Sequence, residues 1–517
     1  MKYNQNNILK SIVRGAGIIF FGTMFAYLTN FVYRLIISRY LGPADYGLIA
    51  LGQMILNIGL IFAMFGLEEG IIRYVAYYKG QKKLAEVKGI LYSALKISLP
   101  IAIIICVSLI FFSNIISNRL FNNPKFQLVL IVFSVILPLN VSLRLICSFF
   151  LALKKVEYSE LILDIFRNIS NLIFVFIVVI LGGTIFHISI SYLLATLFSF
   201  LIALFLLKYK IFPKIFVKKF KPFYDYKNLL SFSIPLLFTG IFLRVMGWAD
   251  TFFLGIFKTA SDVGIYNVAF PLAAAMGIFL ISFGQIFYPL CSELLAKKKY
   301  FEIGKSFEVI IRWIFMITFP IFLLILFFPK DILNFLFGKE YIGGYIALVI
   351  LISAYFINVI TGPGIHTLKS FKKLKFVLNL NIIVVVLNVI LNIILIPKYA
   401  INGAAIATAI SIVLREIIIF LKVKSLIKFS YNIKNYLKYI LSAIIPLIAV
   451  YLIMITFFRP YSIFKLVGAL FVFSVLYLFF LLIFKSFDKE DLMIMLTIEK
   501  RLGLNLKFIK KIISKFI

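Results

Sequence analysis

Apolar runs of about 20 residues or more follow one another along almost the whole chain, a pattern that no soluble fold requires and a bilayer core demands. Breaking the sequence at charge clusters, proline and glycine leaves about fourteen such segments: 15–38, 46–72, 89–112, 127–153, 158–181, 186–207, 229–257, 264–295, 306–328, 343–368, 376–396, 402–421, 437–458 and 464–484. Lipid cannot satisfy exposed backbone polar groups, so each span must be a helix or part of a closed barrel. The runs are continuous rather than alternating, which selects helices. The expectation is an all-α, polytopic membrane protein with about 14 transmembrane helices. The composition, 63% hydrophobic and 14% charged, lies far from the roughly 45–50% and 25% of soluble domains.

Charge gives the orientation. A net charge of +34 could suggest nucleic acid, but the lysines sit mostly in short links between spans, where positive-inside sorting accounts for them, so no nucleic-acid partner is expected. With the N-terminus inside, links after even-numbered helices and the two ends hold about 37 Lys and Arg, and the opposite links about 9. Both termini are therefore expected on the cytoplasmic side of the plasma membrane. The first apolar run lacks a small-residue cleavage site and reads as a retained span. Cys106, Cys147 and Cys291 stand alone in apolar segments and read as packing. The tail DLMIMLTIEKRLGLNLKFIKKIISKFI spaces Ile, Leu and Phe helically among lysines, as a helix lying on an anionic leaflet would.

The chain repeats itself. RYLGPADYGLIALGQ (39–53) and IFKTASDVGIYNVAF (256–270) carry the same A/S-D-x-G turn, and Asp262 follows Asp45 by 262 − 45 = 217 positions. Other matches keep a similar offset: QKKLAEVKGILYSALKISLP with KKYFEIGKSFEVIIRWIFMITFP, NRLF with NFLF, and LALKK with LKSFKK. This is an internal duplication of six helices, whose copies share one membrane orientation. The expected parts are a lobe over 1–215, a second lobe over 216–430, two added spans over 431–485, and the tail 486–517.

Eight basic residues remain once those of the links and ends are counted: Arg34, Arg73, Lys96, Arg144, Arg167, Arg244, Arg312 and Arg415. Each costs roughly 2.5–3.5 kcal/mol at a helix centre, so those that persist face a partner or a pathway. Arg73, Lys96 and Arg312 lie within reach of the cytoplasmic interface and can snorkel. The others lie deeper. Thr23, Tyr27, Asn30 and Arg34 make one polar stripe, and Thr408, Ser411 and Arg415 another. Arg167 is spaced to pair with Asp164, a pairing that would be purely structural, or to face a pathway. Arg244 and Asp250 lie about 120° apart around their helix and so need partners elsewhere. Bases outnumber the deep acids, and an Arg-lined wet space suits a phosphate through bidentate contacts. Gly42-Pro43, Pro100, Pro320 and Gly362-Pro363-Gly364 mark places where a span can bend.

RYLGPADYGLIA, the Glu68-Glu69-Gly70 after the second span, and TFFLGIF and DVGIYNVA around the seventh and eighth resemble the polysaccharide (O-antigen type) flippases of the multidrug/oligosaccharidyl-lipid/polysaccharide exporter superfamily. The likeness covers nearly the whole chain. It implies two six-helix repeats forming a V-shaped bundle around a cationic cavity, plus two C-terminal helices. It implies alternating-access transport of polyprenyl-(di)phosphate-linked oligosaccharide across the cytoplasmic membrane, for surface polysaccharide biosynthesis. In that picture Arg34 and Arg244 face the cavity, with Asn30, Arg144, Arg167 and Arg415 as further candidates for the anionic head group. Asp45, Glu69 and Gly70 belong to the gating pair of helices. Asp250 matches a carboxylate for a coupling Na+ or H+, with Asn388 and Asn392 as co-ligands; no other cofactor, no metal site and no catalytic residue is expected. Where lipid II flippases carry an Arg-rich segment, this chain has GQMILNIGLIF, which favours a general oligosaccharide lipid.

Two other functions fit a polytopic helical chain. A cation-coupled multidrug antiporter on the same fold needs an acidic, aromatic pocket, whereas the deep residues here lean basic. A membrane-bound polysaccharide polymerase or ligase needs a catalytic outer domain, whereas the outward links are short and His187 and His366 stand alone. No P-loop is present. Membrane lipids, and the glycosyltransferases and glycan polymerase of one pathway, are the expected partners.

Overall fold

The structure is a computed structural model that describes residues 5–213, 221–430, 433–457 and 463–486, without side-chain detail at 5–21, 23, 236, 238–244, 454–457 and 463–467. The basic tail and the centre of the 208–227 link lie outside the described residues. Every regular element among those described is helical. In chain order the long helices are α1 (Gln5–Met64), α2 (Leu67–Gly80), α3 (Leu84–Phe111), α4 (Phe126–Ala152), α5 (Val156–Ile180), α6 (Ile185–Ile211), α7 (Tyr226–Phe257), α8 (Ala260–Ala274), α9 (Gly277–Ala296), α10 (Tyr300–Phe327), α11 (Tyr345–Ile360), α12 (Leu374–Lys424), α13 (Ile433–Phe457) and α14 (Ile463–Ile483).

Ten helical stretches among the described residues are long and apolar enough to cross a bilayer, and Val245–Phe257 and Gly468–Ile483 are shorter ones. This agrees with the fourteen expected segments once two bends are allowed for. α1 carries two of them, joined at Gly42, whose φ of 74° leaves helical space just before Pro43. α12 carries two more, joined at Ala400 (φ 47°), three residues beyond Pro397. In both, a proline removes a ladder hydrogen bond and a residue within three positions of it leaves helical backbone geometry. The Gly362-Pro363-Gly364 break ends α11 and starts a short new helix, with Gly362 at φ 78°. Pro100 and Pro320, by contrast, sit inside unbroken helices.

The described residues fall into two compact units, one within Met1–Val268 and Val385–Ala404, the other within Ala269–Val384 and Ala405–Ile517. Packing thus divides the chain at other points than the repeat register, since α7 and the first half of α8 join the first unit. In that unit α4 is central, contacted by α1, α2, α3 and α6, and buries Phe126, Phe133, Phe149 and Phe150 completely. The hydrophobic effect does not drive helices together inside lipid, so close approach and polar contacts decide the packing. In the other unit the added helices α13 and α14 pack with α10 through Phe315, Phe319, Tyr439, Ala443, Phe473 and Tyr477. Tyr477 Oη donates to the Met316 carbonyl at 2.6 Å, which satisfies the phenol in an otherwise apolar core.

Candidate functional site

The repeated turn explains why the first half of α8 belongs with the first unit. A Cβ built on Gly47 would run into the Ala260 carbonyl oxygen, and one on Gly264 into the Pro43 carbonyl oxygen. The pairs are equivalent in the repeat: Ala260 follows Pro43, and Gly264 follows Gly47, by 217 positions. The two copies of A/S-D-x-G are packed reciprocally, backbone against backbone, as small residues allow in membranes. The second turn is closed by Thr259 and Asp262, whose hydroxyl and carboxylate interact at 2.7 Å. The first has glycine, Gly42, at the position equivalent to Thr259 and turns through its positive φ instead.

That contact brings α1 to the side of α8 carrying Asn267. Arg34 Nη1 donates to the Asn267 carbonyl at 3.1 Å and to Tyr46 Oη at 3.4 Å, and Tyr46 Oη donates to the same carbonyl at 3.3 Å. In an unbroken helix this carbonyl would accept from the amide four residues on. Residue 271 is proline, which has no N–H, so the oxygen is left for Arg34 and Tyr46. Among the described residues no carboxylate lies within 4 Å of the half-buried Arg34 guanidinium. Its remaining donors keep an anion's geometry available.

Adjacent residues extend the cluster. Asn267 Nδ2 donates to Thr251 Oγ1 at 3.1 Å and to the Val263 carbonyl at 2.9 Å. Next to them Tyr266 donates its hydroxyl to Asp250 Oδ2, and Asn392 Nδ2 donates to Asp250 Oδ1 at 2.7 Å. Asn392 also reaches Asn388 Oδ1 at 3.2 Å, while its own buried Oδ1 has no hydrogen-bond partner among the described residues. Asp250 is 3% exposed, and Asn388 and Asn392 are fully buried. The three residues expected as an ion site are therefore brought together by α7 and α12. One carboxylate and two amides make a hard oxygen donor set, suited to an alkali cation or a proton.

The repeat supplies a counterpart. Tyr33 stands 217 positions before Asp250, and Asn171 the same distance before Asn388. Tyr33 and Asn171 are both buried. The first copy thus keeps the amide and replaces the acid by a neutral phenol.

The other expected residues are placed differently. Arg144 pairs with Glu68 at 3.4 Å and with Asn140 Oδ1 at 3.3 Å, so a neighbouring acid offsets its charge. Arg415 pairs in the second unit with its buried neighbour Glu416 at 2.8 Å, and Thr361 donates to the other Glu416 oxygen at 3.3 Å. Arg167 is half-buried and does not pair with Asp164 within 4 Å, contrary to the helical spacing; between them the helix takes a π turn over Leu161–Phe166, which shifts the register. Asn30 is exposed, with its amide donating to the Ala26 carbonyl at 2.8 Å rather than to the Arg34 cluster. Asp45 is half-buried in the first repeated turn and Glu69 is exposed. Gly70 is where α2 crosses α7, its missing side chain leaving room for Ser233 Oγ. Arg244 lies on α7, with its side chain outside the described residues. Arg73 stacks over Phe232 at 4.2 Å and Lys96, midway along α3, over Tyr224 at 4.1 Å, both cation–π contacts.

Tyr46, Thr251, Tyr266 and Asn267 were not among the expected residues. The signal was Pro271, four residues after an asparagine in DVGIYNVAFP, which announces a carbonyl in need of a partner.

Residues 12–295 match the model of the family described as polysaccharide biosynthesis protein, and residues 235–394 match the MatE family. The chain is 25% identical over 447 residues to an uncharacterized membrane protein of Methanocaldococcus jannaschii, covering 83% of this chain and 87% of that protein. It is 29% identical over 199 residues to the probable low-salt glycan biosynthesis flippase Agl15 of Haloferax volcanii, covering 38% of this chain and 42% of the flippase. The solved structure of the lipid II flippase MurJ, in its inward closed conformation, shares the fold with a TM-score of 0.69 at 19% identity, over 92% of this chain and 100% of that one.

Proposed function

The chain belongs to the polysaccharide biosynthesis protein family, and from that premise we propose that it is a flippase for polyprenyl-(di)phosphate-linked oligosaccharide in the cytoplasmic membrane. The observation that carries the reading is Arg34, a guanidinium held within a membrane span by a freed carbonyl and, among the described residues, with no carboxylate within 4 Å. Such a group is costly in lipid unless it meets an anion. A phosphate held bidentately by Arg34 would neutralise it, while the polyprenyl chain stays in lipid and alternating access carries the glycan across. The flippase relative in Haloferax supports the same cargo class.

The Asp250 cluster supports ion coupling. Its buried carboxylate and the unpartnered Asn392 oxygen fit a Na+ or a proton taken up from one side and released on the other. The MatE match, which spans Asp250, favours as a second reading a cation-coupled drug antiporter. Arg34 argues against organic-cation cargo. In a strain whose surface glycan depends on this protein, Arg34→Ala should abolish that glycan while the protein still reaches the membrane. Undiminished glycan would refute the assignment of Arg34.

A further inference from the structure

Two neighbouring residues of α8 grip two neighbouring residues of α7: Tyr266 holds Asp250 and Asn267 holds Thr251, each sixteen positions apart. Successive helical residues point about 100° apart, so a turn of α8 about its axis moves both grips together. Asn267 has a second hold through its backbone. Its carbonyl fixes Arg34, which is the repeat equivalent of Thr251, again 217 positions earlier. Asn267 therefore clasps the same position of both repeat copies, while Tyr266 reaches the buried acid. Pro271 is what makes the second hold available, because an α8 with a complete ladder would keep that carbonyl for itself.

We propose that Tyr266 and Asn267 are positioning residues that link ion occupancy at Asp250 to the placement of the Arg34 guanidinium, a linkage that rests on the flippase reading above. Binding of an ion or proton at Asp250 weakens the carboxylate's hold on the Tyr266 hydroxyl. α8 then readjusts, and the Asn267 carbonyl carries Arg34 with it. By reciprocity, an anion on Arg34 alters ion affinity at Asp250 by the same factor. The side chains and the carbonyl that make the link, of Arg34, Asp250, Thr251, Tyr266 and Asn267, all lie in the first unit.

The test uses the full-length protein in lipid nanodiscs with farnesyl diphosphate as a polyprenyl-diphosphate probe. Asp250→Asn stands in for the neutralised acid, whichever ion is used. It should shift the probe Kd by about fivefold or more with Tyr266 present, and by less than about twofold in the Tyr266→Phe background. Thr251→Val, which leaves Asp250 and Tyr266 intact, should likewise reduce the shift. A through-space effect of the lost charge would survive Tyr266→Phe, so an equal shift in both backgrounds, or no shift in either, overturns the linkage. Arg34→Ala separates the two claims: if it leaves probe binding within about twofold, the flippase role of Arg34 fails whatever the linkage result.

Discussion

Gly47 and Gly264 lie back to back, each leaving room for the backbone of the other repeat's turn. A turn that occurs twice in sequence is thus one contact in space, and it sets the position of α8 against α1. Because the obstacles are carbonyl oxygens rather than flexible side chains, the helices have little room to yield. Gly47→Val should destabilise the folded protein by about 3 kcal/mol. Thermal unfolding in detergent checks this, and Gly80→Val, where nothing lies within 4 Å of the added carbon, serves as the control.

Pro271→Ala restores an amide four residues beyond Asn267 and lets α8 complete its ladder. The expected outcome is a helix more stable by about 1 kcal/mol or more joined to a weaker hold on Arg34. A variant that is more heat-resistant yet transports less would show that this proline serves the site rather than the scaffold.

Arg415, 16% exposed, and the buried Glu416 form an ion pair in the second unit. Removing one partner leaves the other charge uncompensated, at a cost of about 3 kcal/mol. Glu416→Gln should therefore lower the melting temperature, and Arg415→Gln combined with Glu416→Gln should recover most of the loss. If the double variant transports normally, Arg415 supports the fold rather than the cargo.

The start of α7 is strapped to the first lobe by Tyr78, which donates to Asp225 at 2.7 Å, and by Phe223, whose amide donates to the Ala85 carbonyl at 3.2 Å. Burial raises the Asp225 carboxyl, but hydrogen bonds from Tyr78 and Asn228 hold it below its usual range. Its bond to that carboxylate pushes the Tyr78 phenol up to about 12. A depressed acid stabilises above its unfolded value, near 3.9, and loses that contribution as pH falls; a raised phenol stabilises below about 10 and loses it as pH rises. The protection factor at the Phe223 amide, its exchange rate relative to an unstructured amide at the same pH, should therefore be high through the neutral range and fall toward pH 3. Tyr78→Phe should weaken the acid dependence, leaving the part that Asn228 supplies.

The spans were legible because lipid leaves the backbone one economical solution and the sequence must repeat it. The two bends, at Gly42 and Ala400, fell between expected segments, and the repeat register identified the turns that meet. The family resemblance, rather than the apolar pattern, grouped Asp250, Asn388 and Asn392, and the helices bring these three side chains together. Which arginines carry an acid was not legible. Glu68 reaches Arg144 from another helix, and the π turn before Arg167 changes which residues face each other. Helical spacing treats each helix as regular and alone. Asn267 escaped for a related reason: its backbone oxygen, not its side chain, holds Arg34, and composition does not reveal a freed carbonyl unless the proline is read with it.

Transport in proteoliposomes is the most direct measurement. With a fluorescent polyprenyl-diphosphate oligosaccharide as cargo, Arg34→Ala should slow translocation at least about tenfold and Arg34→Lys less severely, because lysine keeps the charge without the fork. Translocation at the wild-type rate by an Arg34→Ala protein that is folded and correctly inserted would contradict the account.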